Sequence, residues 1–292
     1  MSENREAIFK TNSRNRFRLI ATMMVLGFLA LQSGDLFAQG NLLITPRRVV
    51  FDGSRRSVDL NLANSGQDSA TYAISLVQIR MTETGGFETI TEPDPGQRFA
   101  DGFVRFFPRS VTLAPNEAQV IKIEVTRRSQ LEEGEYRSHL YFRAVPKAKP
   151  LGEEDPAVEE GSISVKLTPV FGITIPVIIQ MGESTTGVTL SDLKLNNPGD
   201  KDPNLEMTFN RSGNMSVYGD LTVDHVSPPG EITRVGIANG VAVYTPNTIR
   251  KFNLNLVSEK KVDFSSGTLK VYFSAPSDIE KARYAEAELN LR

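Results

Sequence analysis

The chain predicts an all-β protein of two sandwiches in tandem behind an export signal, and three observations carry that expectation. After residue 38, short apolar alternations of period two recur between turn residues, with no sustained helical period. Before residue 38 a basic stretch runs into an apolar one unlike anything downstream. The 292 residues contain 39% hydrophobic and 23% charged side chains but no Cys, so each domain has to hold together by core burial alone, which favours full sandwiches over small stapled folds.

At the N-terminus, Arg5, Lys10, Arg14, Arg16 and Arg18 precede the apolar run Leu19 to Leu31, and Leu36-Phe-Ala38 places a small residue before Gln39. This is the pattern of a secretory signal peptide over residues 1–38. The competing reading, a retained anchor, needs about 20 apolar residues, more than the run provides. Removing its five basic and three acidic residues from 33 and 35 leaves 28 against 32, a mature net charge of −4. No basic footprint for nucleic acid is present.

The first sandwich is expected over residues 39–181. Val58, Leu60 and Leu62 share one strand face, and Tyr72, Ile74 and Leu76 share another. The phase then changes to Val77, Ile79 and Met81, which predicts a β-bulge. Further strands are expected through Phe103–Phe107, Gln119–Thr126 and Tyr136–Val145, with Leu113-Ala-Pro-Asn-Glu117 as a turn. Gln130–Gly134 has room for one helical turn at most.

Pro146–Gly161, rich in acids and interrupted by Pro150 and Pro156, reads as a loop. From Ser162 to Gln180, odd positions carry Ile163, Val165, Leu167, Phe171, Ile173, Ile175, Val177 and Ile179. One face of this strand is almost continuously apolar over roughly 60 Å, longer than a single sandwich covers. Pro169 and Pro176 lack the N–H that a central strand donates, which places parts of it at a sheet edge.

The second sandwich is expected over 182–292. Its alternations are Val188 with Leu190, Leu205–Phe209, Tyr218–Val223, Val241–Tyr244, Phe252–Leu256, Leu269–Phe273 and Ala285–Leu291. Asn197-Pro-Gly199, Arg211–Asn214, Pro228-Pro-Gly230 and Asn239-Gly240 read as the turns between them. The length of about 110 residues suits an immunoglobulin-like domain.

Arg47-Arg48-Val-Val-Phe-Asp-Gly-Ser54 followed by Val58–Asn64 resembles the first two strands of the PapD-like periplasmic pilus chaperones. Phe106-Phe107-Pro108 with Val111–Ile123 is similar to the strand and turn that follow there, and Tyr136–Pro146 to the penultimate strand of the first domain. The resemblance covers residues 41 to 180; beyond that only position and length agree. It implies two immunoglobulin-like domains at an angle, and a chaperone that lends an edge strand to a subunit lacking its own. On that resemblance Ile163, Val165 and Leu167 are the donated side chains, with Phe171 and Ile173 leading back into the chaperone's own core. Three such aliphatics contribute on the order of 1.5 to 3 kcal/mol each before ordering costs.

The resemblance also places Arg48 where the family binds the subunit's C-terminal carboxylate, against the plainer reading of a surface arginine on an edge strand. The family's second cation, a lysine on the long strand, has no counterpart in Val170–Thr174. Arg137 stands where the family has an acid, Glu135 is displaced by two positions, and Ile175 replaces an arginine. The family's interdomain ion-pair network is therefore expected to be absent, with apolar contact in its place. The implied partners are a secreted pilin-like subunit and an outer-membrane usher, and the exposed donor edge also suits a self-capping homodimer.

The alternative class is a structural fibre subunit or two-domain surface module, whose long strand is only interdomain core. Catalysis, cofactors and metal sites find little support. His139 and His225 are far apart, His139 is expected on the outer face of its strand, no phosphate-binding loop occurs, and Asp192, Asp200, Asp202 and Glu206 read as solvated turn residues.

Overall fold

In the first sandwich, strand β1 (Leu42–Thr45) crosses through Pro46–Arg48 into β2 (Val49–Phe51), and the two halves join different sheets. The computed structural model describes residues 42–146, 169–197, 203–276 and 282–291. One sheet has the order β1-β3-β8-β6, with β3 at Ser57–Asn64, β6 at Val104–Phe107 and β8 at Ala118–Val125. The other has the order β2-β10-β9-β4-β5, with β4 at Ala70–Met81, β5 at Phe87–Ile90, β9 at Gly134–Val145 and β10 at Gly172–Met181. Strand β7 (Ser110–Leu113) pairs with the start of β4.

Two such sheets packed face to face, with the first strand switching between them, form an immunoglobulin-like sandwich. The alternation dictates which residues meet between the sheets: Leu60, Leu62, Ile121 and Ile123 from one layer, Tyr72, Ile74, Leu140, Phe142, Ile175, Val177 and Ile179 from the other. Asn64 ties the Ala-Pro-Asn-Glu turn to this core, its buried amide donating to Asp68 O, Leu113 O and Ala114 O at 2.7, 3.1 and 3.2 Å.

The second sandwich packs β11-β12-β15 against β14-β13-β16-β17. These strands span Gly187–Asn196 (β11), Asn204–Ser212 (β12), Val217–Val226 (β13), Ile232–Val243 (β14), Ile249–Asn255 (β15), Gly267–Ser274 (β16) and Arg283–Leu291 (β17). Phe209, Leu221, Val223, Val235, Leu269, Val271 and Phe273 form its centre.

Three expectations are corrected. The β4 phase change is no bulge, because β4 pairs with β9 in continuous register from Thr71 to Val77. Ile79 and Met81 instead turn to the opposite face, and both are buried; Met81 packs with Ala242 and Tyr244 of the second sandwich. Asn239-Gly240 is no turn between strands but lies within β14, where the register against β13 shifts beside Asp220. Gly240 takes φ 72° there and donates its N–H to Asp220 Oδ1 at 2.9 Å, the behaviour of a bulge glycine. Ile173 and Phe171 do not lead into the core; they remain 37% and 50% exposed.

Candidate functional site

The two sandwiches belong to one unit, Gly40–Arg292, and meet on the outer face of the sheet β2-β10-β9-β4. Register explains which residues are available there. Ile178 stands opposite Val50 on one side and Arg137 on the other, and Pro176 stands opposite His139. All of these point away from the first core, since side chains alternate along a strand. The second sandwich covers them with Ala242, Tyr244 and Tyr218.

His139 thus lies on the face expected for it, but that face is not solvent: the residue is 4% exposed. Burial, then the charges of Arg137 and Arg48, push its imidazole pKa down to about 3, so it is neutral at pH 7. Arg137, 2% exposed, donates from Nη2 to Thr245 O at 3.1 Å and lays its guanidinium 4.3 Å from the Tyr244 ring centroid. Burial lowers its pKa; Tyr244 and Glu135 oppose that, and Arg48 adds to it.

Arg48 sits just ahead of β2, half-buried rather than on the surface, between two aromatic rings. Its Cζ is 4.5 Å from the Tyr218 centroid and 5.4 Å from that of Tyr244, and Nη1 donates to the Tyr244 hydroxyl at 3.2 Å. Phe87, at the start of β5, packs edge-on to His139 and tilted against Tyr244.

Hydrogen bonds also cross the junction. The Glu135 carboxylate, 5% exposed, accepts the Ser216 N–H at 2.9 Å, the Thr245 hydroxyl at 3.1 Å and the Ser216 hydroxyl, and Gln180 donates to it at 3.3 Å. Asn247 Nδ2 donates to Met81 O at 2.7 Å and Lys251 N–H to Glu83 O at 2.6 Å. Arg211 holds both contributing loops, donating to Asn247 O, Gly213 O and Met215 O. A carboxylate bonded to hydroxyls and backbone N–H thus stands beside the apolar contact of Met81 and Ile178 with Ala242 and Tyr244, and it needs those donors because a carboxylate is costly to bury without them.

β10 presents a different feature. It pairs with β9 from Gly172 to Met181, yet β2 joins its other side only at Val177–Ile179. Because β1 has crossed to the other sheet, the side of β10 away from β9 has no strand partner from Gly172 to Pro176 among the described residues. Pro176, without an N–H, falls in this half, as its chemistry requires. The face that buries Ile175, Val177 and Ile179 continues outward to Ile173 and Phe171. A side chain at Gly172 would collide with the Tyr141 ring, which lies against it.

Of the residues singled out in the sequence, Arg48 is placed at the junction, while Ile163, Val165 and Leu167 lie outside the described residues. Glu135 and Arg137 stand out in the sequence only as departures from the family pattern, and Tyr244 and Tyr218 carry no sequence signal beyond strand alternation.

No family model matches this chain, and no curated protein does. Solved structures are similar to it. The YadV chaperone is 12% identical, with 86% of this chain and 100% of that one covered at a TM-score of 0.42. The CupB2 chaperone of Pseudomonas aeruginosa is 12% identical over 85% and 99% of the two chains, TM-score 0.40. A chain from the Salmonella enterica SafA pilin in complex with the SafB chaperone is 14% identical over 86% and 96%, TM-score 0.39. The fold assignment itself rests on the strand order of the two sandwiches.

Proposed function

We propose that this chain is a divergent PapD-like periplasmic chaperone that captures a pilin-like surface-fibre subunit by lending it a strand, and passes it to an outer-membrane usher. The observation that carries the reading is the half-bare edge of β10, whose apolar face runs out of its own core at Ile173 and Phe171. Unpaired N–H and C=O groups beside an apolar row are a template for another strand. Ile163, Val165 and Leu167 continue the same odd-numbered face and are the donated side chains in this reading. Arg48 anchors the client's terminal carboxylate, and export by residues 1–38 brings the chain to its clients. The same edge pairs with a second copy when no client is present.

Co-expression with the small secreted proteins encoded beside its gene tests this. One client is expected to co-purify at a one-to-one ratio, and Val165→Asp should abolish its recovery while the variant remains folded. Self-polymerisation of the purified chain, or unchanged recovery with Val165→Asp, would instead favour a structural fibre protein.

A further inference from the structure

The hairpin of β4 and β5 reaches out of its own sandwich. β4 pairs with β9 as far as Val77, and from Gln78 to Met81 it pairs with β5 instead. The tip closes on itself: Thr82 N–H donates to Gly86 O at 2.8 Å, Gly85 N–H to Thr82 O at 2.9 Å and Gly86 N–H to Thr82 Oγ1 at 2.9 Å. Gly85 takes φ 84°, which a glycine adopts without strain. The hairpin is therefore a short, stiff arm.

Its tip rests on the second sandwich at the start of β15. Asn247 Nδ2 donates to Met81 O near the root, and Lys251 N–H donates to Glu83 O at the tip. Between them the Arg250 guanidinium lies against Gly85, where a Cβ would come within 2.7 Å of Nη2. Arg250 is held there by donating to Ala242 O and by the Phe252 ring, whose centroid is 5.2 Å from Cζ. Its Nε is buried and has no partner among the described residues. The arm itself buries little: Ile79 and Met81 are buried at the root, while Glu83, Thr84, Gly86 and Phe87 are exposed. Two hydrogen bonds of about 1 kcal/mol each stand against one buried donor without an acceptor, which costs about 1–3 kcal/mol, so the contact is closely balanced. Lifting the tip lets water reach Nε and removes that cost.

We propose that the β4–β5 hairpin is a strap that sets the angle between the two sandwiches, and that its tip opens and closes on β15. The hinge it works against is the chain crossing after Met181. Glu135, opposite Gln180 at the end of β10, bonds Ser216 and Thr245 beside that crossing. Contact at the crossing alone leaves the second sandwich free to turn about it; a further contact along Asn247, Arg250 and Lys251 removes that freedom. The strap belongs to the free chain and does not depend on the client reading.

Amide exchange and residual dipolar couplings on the full mature chain test this, with Asn247→Ala and Gly85→Ala as variants. Lys251 N–H reports on the tip directly, because its acceptor is on the hairpin. In the parent it should exchange through local opening, faster than the amides of the β12–β15 ladder. Asn247→Ala leaves the turn and Arg250 untouched and should speed Lys251 exchange about five- to tenfold, as the loss of one hydrogen bond implies; Gly85→Ala, which drives a methyl group into Arg250, should speed it by more. Ladder protection should stay at the parent level, showing that the variants are folded, while the couplings show the sandwiches reoriented as rigid bodies. Lys251 protection equal to that of the ladder, an unchanged Lys251 rate in Asn247→Ala, or faster exchange with the sandwiches still in their parent orientation overturns the strap.

Discussion

Glu135 and Arg137 are two positions apart on β9, and the second sandwich buries both, yet their burial is resolved in opposite ways. Glu135 has its donors; Arg137 has two nitrogen atoms without acceptors among the described residues. Replacing Glu135 with Gln turns one acceptor oxygen into a donor facing Ser216, and should destabilise the protein by roughly 2 kcal/mol in urea unfolding. His139 makes pH the second probe at this scale. Its folded pKa, about 3, lies below the unfolded value of 6.5, so the unfolded chain binds the extra proton between those limits. Stability is therefore full above pH 6.5 and falls as pH drops toward 3, by up to about 1.4 kcal/mol per unit from this group. Unfolding midpoints at pH 7 and pH 5 should differ less in His139→Gln than in the parent. The strand phase of His139 and Arg137 was legible in the sequence, because alternation is local. That their face is covered was not, since the covering residues Tyr218 and Tyr244 lie far along the chain, in the second sandwich.

At the level of strands, the alternation that located β3, β8, β9 and, β14 apart, the strands of the second sandwich was sufficient because each has one core-facing row. It misread β4 and β14, where a second influence overrides the simple pattern. β4 is apolar on one face toward its own core and on the other toward the neighbouring sandwich, which mimics a bulge. β14 carries an Asn-Gly pair used as a bulge inside a strand. The edge character of β10 was legible from Pro176, whereas the point where its own core ends was not. Ile173→Lys is expected to change stability by less than about 0.5 kcal/mol, because the residue is already 37% exposed, yet to lower client recovery sharply. Val177→Asp, at a fully buried position, should prevent folding. Gly172→Ala forces the Tyr141 ring to move and should weaken client capture more than it lowers the melting temperature.

Taken whole, the two sandwiches are held without cysteine by a junction that includes one carboxylate, two hydroxyl-bearing residues, the arginines Arg48 and Arg137 and a small apolar cluster. Such a junction couples the two cores, so heat unfolding should be a single transition, and Ser216→Ala with Thr245→Ala should separate it into two in calorimetry. The same junction fixes Arg48 beside the second sandwich at the level where β10 begins to lose its partner strand. The central claim is that this bare ribbon, and not some other surface, completes a client. Amide hydrogen exchange of the chain with and without its co-purified partner measures that most directly. Exchange across residues 163–176 should slow by at least about a hundredfold in the complex, as expected for amides newly locked into a strand ladder, whereas protection confined to the second sandwich with that stretch unchanged would contradict the account.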